Sequence, residues 1–422
     1  MRNNGTVNFL VQGHNDERKL LCYDCLKDFA EIVQETSEYV NSNDAENSFE
    51  PTINEDKVAG QNQKATPSKL KRCLDKFIIG QEKAKRALTT LIYNHIMMIK
   101  AKENGEPGAE NLSKSNAIMI GPSGCGKSEL IKRISQYLNV PLVIADITSY
   151  SSTGFVGRDL ECILRDLVEA ADGDIERAEK GIVYIDEIDK CSRKGESPST
   201  SADPSHEDLQ HGLLKLIEGS EVEVAEKGSR MHPSAPSFKI NTENILFIVG
   251  GAFEGIEKII ARRQRSTTSS IGFSSKMQLN DEKAYNEYID DITTEDLKKY
   301  GLMPELIGRL PLIVTLHTLN EDALVRILTE PKNALVKQYQ AKFEMHGIAL
   351  EFSEEALRAI AKQAIARKTG ARSLRGIMEN LLADTMYEIP DEVEDNVGYI
   401  IDVNDNKEIE IQRICFAEEE IG

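Results

Sequence analysis

The sequence predicts an α/β fold built on a parallel sheet, followed by a smaller, mainly helical domain. Three observations predict it. Four short runs, apolar on both faces, recur between residues 116 and 251 with amphipathic stretches between them. A glycine-rich loop joins the first run to a helical pattern. After Pro311 the strand-like runs give way to long stretches of helical periodicity.

The runs are NAIMIG (116–121), PLVIAD (141–146), GIVYIDE (181–187) and NILFIVGG (244–251). A strand covered by helices on both faces loses the apolar–polar alternation of a half-exposed strand, so continuous runs of this length read as buried parallel strands. Residues 320–346 and 353–389 carry helical spacing. Ser353 followed by Glu354 and Glu355 suits a helix start, where a hydroxyl caps free N–H groups and acids face the positive end. VGYIIDV and IEIQRICF near the end can supply short strands.

Upstream, residues 1–40 hold the Cys22–Cys25 pair and a helix-like stretch from about Leu26 to Tyr39. Residues 41–68 are polar, rich in Asn and poor in aliphatic side chains, a composition that cannot offset its own ordering entropy and reads as a flexible linker. The expected organisation is therefore an N-terminal region 1–40, a linker 41–68, a large α/β domain 69–314 and a small helical domain 315–422.

Composition narrows the function. With 422 residues the chain accommodates several domains. Its net charge of -19 argues against nonspecific nucleic-acid binding, which needs Lys and Arg to neutralise phosphates. No apolar run approaches the roughly 18 residues of a membrane span. The start lacks a secretory apolar segment, so the expected location is cytoplasmic. Seven scattered cysteines suit a reducing compartment rather than a disulfide framework.

The loop GPSGCGKS comprises Gly121, Pro122, Ser123, Gly124, Cys125, Gly126, Lys127 and Ser128 and fits G-x-x-x-x-G-K-[ST]. Glycines let backbone N–H groups curl around phosphate oxygens, and the following helix points its positive end at them. Lys127 then reaches the terminal phosphates, and the Ser128 hydroxyl takes a Mg²⁺ position. GIVYIDEID supplies two acids at the end of a strand. Asp186 is suited to hold Mg²⁺ and Glu187 to orient and deprotonate the attacking water, which favours ATP hydrolysis over simple binding.

Beyond these motifs the chain resembles the ClpX family of AAA+ unfoldases over about residues 66–390. The resemblance rests on DKFIIGQEKAKRAL (75–88), GPSGCGKS, VYIDEIDK, LLKLIEG (213–219), NILFIVGGAFEG (244–255), LMPELIGRLP (302–311) and RKTGARSLRGIME (367–379), in the family's order. It implies a homo-hexameric ring with ATP at subunit boundaries. Arg309 matches the arginine finger that reaches a neighbour's nucleotide, and Arg372 the sensor arginine that closes over the subunit's own. A guanidinium suits both tasks because it is always charged and forks onto phosphate oxygens. Ile78 and Ile79 match the segment flanking the adenine, and equally suit plain core.

The resemblance also implies a substrate channel and a peptidase dock. GFVG at 154–157 matches the first pore loop, with Phe155 and Val156 facing the channel; Arg158 stands where the family usually has an acid, which alters the expected local charge. Residues 191–207 match a second, polar loop. In GSRMH (228–232), Arg230 and His232 match the basic pore entrance, while Met231 replaces a lysine. Ile271, Gly272 and Phe273 match the tripeptide by which the family docks on the ClpP peptidase, and two large apolar residues in a Ser/Thr-rich stretch suit a partner's cleft.

The N-terminus departs from the family, whose zinc module uses two CxxC pairs. Only Cys22 and Cys25 are present, with His14 nearby, and structural zinc wants four ligands. Either that region is metal-free or ligands come from elsewhere. Together these features imply an ATP-driven unfoldase that acts on unfolded or tagged proteins and feeds a ClpP-type peptidase, with no nucleic-acid or membrane partner. The alternative is a standalone remodeller. The sequence carries no HExxH or GxSxG pattern, so peptide cleavage by the chain alone is not expected.

Overall fold

The computed structural model describes residues 10–12, 18–20, 66–151, 158–192, 204–225, 237–267, 281–367, 369–391, 397–404, 406 and 408–415. Residues 1–58 form one unit and 59–422 another. In the first, β1 (Leu10–Gln12) pairs antiparallel with β2 (Arg18–Leu20).

The second unit opens with α1 (Pro67–Asp75), which starts at Pro67 because proline sets a helical φ at the first position and Thr66 Oγ1 accepts the Lys69 N–H at 3.3 Å. Helix α2 (Glu82–Glu103) follows the Ile78–Gln81 turn. Then come β3 (Ala117–Ile120), α3 (Lys127–Leu138), β4 (Leu142–Asp146), β5 (Tyr150–Ser151), β6 (Arg158–Asp159), α4 (Cys162–Ala170) and α5 (Ile175–Ala178). They are followed by β7 (Ile182–Asp186), α6 (Pro204–Glu218), β8 (Glu221–Ala225), β9 (Ser237–Asn241), β10 (Leu246–Gly251) and α7 (Ile256–Thr267). Helices α8 (Asp281–Tyr288), α9 (Thr294–Tyr300) and α10 (Pro304–Gly308) lead into β11 (Leu312–Thr315).

All four apolar runs lie in one parallel sheet of order β11-β3-β10-β7-β4. Successive side chains point to opposite faces, and the two faces pack into different cores. Ile118, Ile120, Val183, Ile185, Phe247 and Val249 meet α4, α6, α7, α9 and α10 on one side. Ala117, Met119, Ile182, Tyr184, Leu246 and Ile248 meet α1, α2 and α3 on the other. Burial of each such Ile, Val or Phe stabilises by roughly 1.5–3 kcal/mol, so β3, β10 and β7 as far as Ile185 are apolar throughout. At the sheet edge, β4 departs from the fully buried strand expected of PLVIAD and alternates, with Val143 and Ala145 buried and Ile144 exposed. The fifth strand, β11, was not legible as a strand in the sequence.

The chain continues through α11 (Glu321–Thr329), α12 (Leu335–Glu344), β12 (Ala349–Phe352), α13 (Glu354–Ala366) and α14 (Arg372–Glu388) to the β13 (Val397–Val403) and β14 (Ile409–Cys415) ladder. These elements share a third core. Ser353 caps α13, its Oγ accepting the Ala356 N–H at 3.1 Å, as the sequence led one to expect. The two helical stretches are each broken. Pro331 separates α11 from α12, since it has no N–H to donate and clashes with a continuing helix. Thr369–Ala371 separates α13 from α14, and β12 lies between the two helical stretches and pairs parallel with β13. Among the described residues no helix is long and apolar enough to cross a membrane.

Candidate nucleotide site

The phosphate-loop pattern lies between β3 and α3, at the carboxyl end of the sheet where open α/β folds collect ligands. Two of its glycines are fixed by geometry. A Cβ on Gly121 would sit 2.7 Å from Leu316 Cβ and 2.8 Å from Cys125 Sγ. Gly124 has φ +74°, and a Cβ there would fall 2.1 Å from the Thr369 carbonyl oxygen. The first N–H groups of α3 have no partner inside the helix, so its start offers donors and a positive dipole end toward the loop.

Lys127 is buried, and its Nζ donates to Gly121 O at 2.5 Å and Pro122 O at 3.1 Å. Among the described residues no carboxylate pairs with it. A buried cation held only by loop carbonyls suits an anionic ligand in that loop. Cys125, buried beside it, has its thiol pushed up by desolvation and stays protonated.

The second half of the site comes from β7. Ser128 Oγ donates to Asp186 Oδ2 at 3.0 Å. The other carboxylate oxygen accepts the Tyr184 hydroxyl at 3.1 Å and the Glu187 N–H at 3.0 Å. Burial, and then the Asp186 charge, push the Tyr184 phenol well above its ordinary range, so it remains a donor. Its hydroxyl also fills the space over Gly250, where a Cβ would approach to 2.1 Å. Glu187 leaves the strand in a left-handed conformation, φ 61°, which turns the chain into the Ile188–Cys191 turn. A hydroxyl and a carboxylate at this spacing are the hard oxygen donors that Mg²⁺ prefers, so the residues present fit the ion.

Around this centre, Ile78 and Ile79 are both buried, and Ile78 belongs to the core under α1 and α2. The next turn is tied down by Gln81, whose Nε2 donates to His317 O at 2.9 Å and Cys125 O at 3.4 Å while its Oε1 accepts the His317 N–H at 3.0 Å. Gln81 thus links the phosphate loop to the exit of β11. The C-terminal elements close the other side: Ala371 N–H donates to Gly124 O at 3.2 Å. Arg372, the next residue and the first of α14, is exposed and makes no ion pair among the described residues.

Arg309 sits elsewhere. Its carbonyl accepts Asn116 Nδ2 at 3.2 Å, just before β3 begins, while the phosphate loop starts after β3 ends. A four-residue strand rises roughly 13 Å, so the arginine and the loop lie at opposite ends of the sheet. Its exposed guanidinium pairs with Glu218, Nη2 to Oε1 2.9 Å. Arg158 is paired: Nη2 lies 2.7 Å from each Asp166 carboxylate oxygen, and the guanidinium stacks over Tyr150. Phe155, Val156, Arg230, Met231, His232, Ile271, Gly272, Phe273, Cys22 and Cys25 lie outside the described residues. Of the 191–207 stretch, the end is helical, because α6 starts at Pro204.

Sequence reading missed Gln81 and Tyr184. A signal existed for Tyr184: it is the one hydroxyl-bearing side chain in IVYID, two residues before Asp186 and so on the same face of the strand. Gln81 gave none, because its two partners, Cys125 and His317, lie in distant segments.

Residues 112–313 match the AAA domain (Cdc48 subfamily) family, and residues 319–396 match the C-terminal, D2-small domain, of ClpB protein. The chain is 47% identical over 328 residues to the ATP-dependent Clp protease ATP-binding subunit ClpX of Treponema denticola, covering 77% of each chain. AAA+ architecture, an ATPase loop with its acidic strand, and identity of this extent converge: the chain belongs to the ClpX family of AAA+ ATPases.

Proposed function

We propose that the chain is the ATP-hydrolysing subunit of a homo-hexameric unfoldase that threads proteins toward a ClpP-type peptidase. The observation that carries the ATPase half is the meeting of Ser128 and Asp186 at 3.0 Å beside Lys127. Lys127 exchanges its loop carbonyls for the terminal phosphates of ATP, and backbone N–H groups of residues 121–128 cradle them. Ser128 and Asp186 hold Mg²⁺, which neutralises phosphate charge when bound. Glu187 orients the attacking water and accepts its proton. Ile78 and Ile79 flank the adenine.

The two arginines divide the remaining work. Arg372 stands next to Ala371, which is bonded to the phosphate loop, and so serves the subunit's own nucleotide. Arg309 lies a strand length away from that loop, which leaves a neighbouring subunit as its target. Phe155, Val156, Arg230 and His232 contact translocating substrate, and Ile271, Gly272 and Phe273 dock the peptidase. The working division is an N-terminal region 1–40, a linker 41–68, a large domain 69–314 and a small domain 315–422, acting in the cytoplasm. Cys22 and Cys25 provide two of the four ligands a structural zinc needs, which favours a metal-free N-terminal region over one that draws ligands from elsewhere.

The test combines this chain, ATP and a ClpP-type peptidase with a tagged, stably folded protein. Degradation that is lost on Glu187→Gln and on Phe273→Ala supports the reading. ATP turnover without degradation, with Phe273→Ala unchanged in every assay, points to a standalone remodeller.

A further inference from the structure

Helix α6 connects the hydrolytic end of the sheet to the arginine on α10. Gln210, in the body of this helix, is fully buried and uses its amide toward three residues in two segments. Nε2 donates to Cys191 O at 2.7 Å and more weakly to Gly301 O at 3.5 Å, and Oε1 accepts the Met303 N–H at 2.8 Å. Cys191 ends the turn that begins directly after Glu187. Met303 is the N-cap of α10, and Arg309 is that helix's C-cap. Roughly 12 Å further along α6, at 1.5 Å per residue, Glu218 receives the Arg309 guanidinium. One helix therefore touches the turn after Glu187 once and the arginine segment twice.

The amide is a costly choice for mere filling. Leu213, Leu216, Leu306 and Ile307 belong to the same apolar core, yet an aliphatic side chain at 210 would leave the Cys191 carbonyl and the Met303 N–H without this partner. An amide bonded at both ends makes relative motion of its partners expensive, because any slip leaves a buried N–H or C=O unpaired. The turn after Glu187 and the start of α10 must then shift together.

We propose that Gln210 is a positioning residue that couples the occupancy of a subunit's own nucleotide site to the presentation of its Arg309 to the adjoining subunit. The inference rests on the reading of Glu187 and Arg309 given above. It places cooperativity between sites in a side chain that touches neither nucleotide nor water.

The test measures ATP turnover, Hill coefficient and nucleotide affinity of the full-length hexamer carrying Gln210→Met, beside Arg309→Ala. The expected result is affinity close to the parent's, a Hill coefficient falling toward 1 and turnover reduced about fivefold or more. A residue with only a packing role would lower the melting temperature and leave the Hill coefficient unmoved. An assembled Gln210→Met hexamer with parental turnover and cooperativity overturns the inference, while an inert Arg309→Ala phenotype overturns the reading beneath it instead. Should Gln210→Met fail to fold, amide exchange at Met303 in the parent decides. Protection that changes when a non-hydrolysable ATP analogue binds supports the coupling, and unchanged protection rejects it.

Discussion

The Ser128 hydroxyl and the Asp186 carboxylate meet at 3.0 Å although 58 residues separate them in sequence. Asp186 ends β7, Ser128 is the second residue of α3, the helix that follows β3, and β10 is the strand that brings β3 and β7 into one sheet. The fold alone brings the two oxygens within reach of a single ion.

That arrangement predicts the effect of Asp186→Asn. The amide keeps the size of the carboxylate but not its charge. We expect Mg²⁺-dependent ATP affinity to fall about tenfold to a hundredfold, on the order of 1.5–3 kcal/mol for a charged partner. Binding in EDTA, governed by Lys127 and the loop, should change little. Titration with a fluorescent ATP analogue in both conditions is the check, and an equal loss in both would remove Asp186 from the metal site.

Gly124→Ala tests the contact between the phosphate loop and the C-terminal helical elements. The new Cβ would fall 2.1 Å from Thr369 O and 3.1 Å from Ala371 N, on a backbone with φ +74°. The backbone conformation alone costs about 1–3 kcal/mol, and the clash must also displace the turn that carries Arg372. The melting temperature and ATP affinity should both drop. Gly105→Ala is the control, with φ +64° but open space around the Cβ, and it should affect stability only. Identical behaviour of the two variants would show that the contact is not needed.

The separation of Arg309 from its own phosphate loop predicts complementation between subunits. Arg309→Ala and Lys127→Ala hexamers should each hydrolyse ATP about a thousandfold more slowly than the parent. Mixed rings should recover turnover, because a Lys127→Ala subunit still offers Arg309 to a neighbour with an intact loop. Phosphate release from mixed assemblies measures this, and rings that mix without recovery would refute action in trans.

A pH dependence of stability follows from His95. Burial lowers its pKa to about 4; Nε2 lies 3.0 Å from Asn244 O, and Nδ1 is buried without a partner. The unfolded ring titrates near 6.5. Between those values the unfolded chain binds a proton that the native chain does not. The contribution is therefore complete above about 6.5 and is lost as pH falls toward about 4. At about pH 5 the loss amounts to about 2 kcal/mol. The stability difference between neutral pH and about pH 5, read by chemical denaturation, should shrink by that amount in His95→Gln. Equal differences would mean that the ring is charged in the fold.

By itself the sequence determined the class of fold and the chemistry of the loop. Runs such as AIMI and IVYI are apolar at every position, and only a strand covered on both faces uses them all. The spacing of Gly121, Gly126, Lys127 and Ser128 is a local property, so it survives without any knowledge of packing. The same holds for the Ser353 cap, whose hydroxyl bonds three residues along the chain. Tertiary structure alone decided the rest. The four residues of β11 follow Pro311 and become a strand only because β3 offers an open edge. Gln81, Tyr184 and Gln210 acquire their parts from partners in other segments, as Arg309 does from the strand between it and the loop. Local pattern fixes which bonds a residue can make, and only the packed chain decides which partners come within about 3 Å to make them.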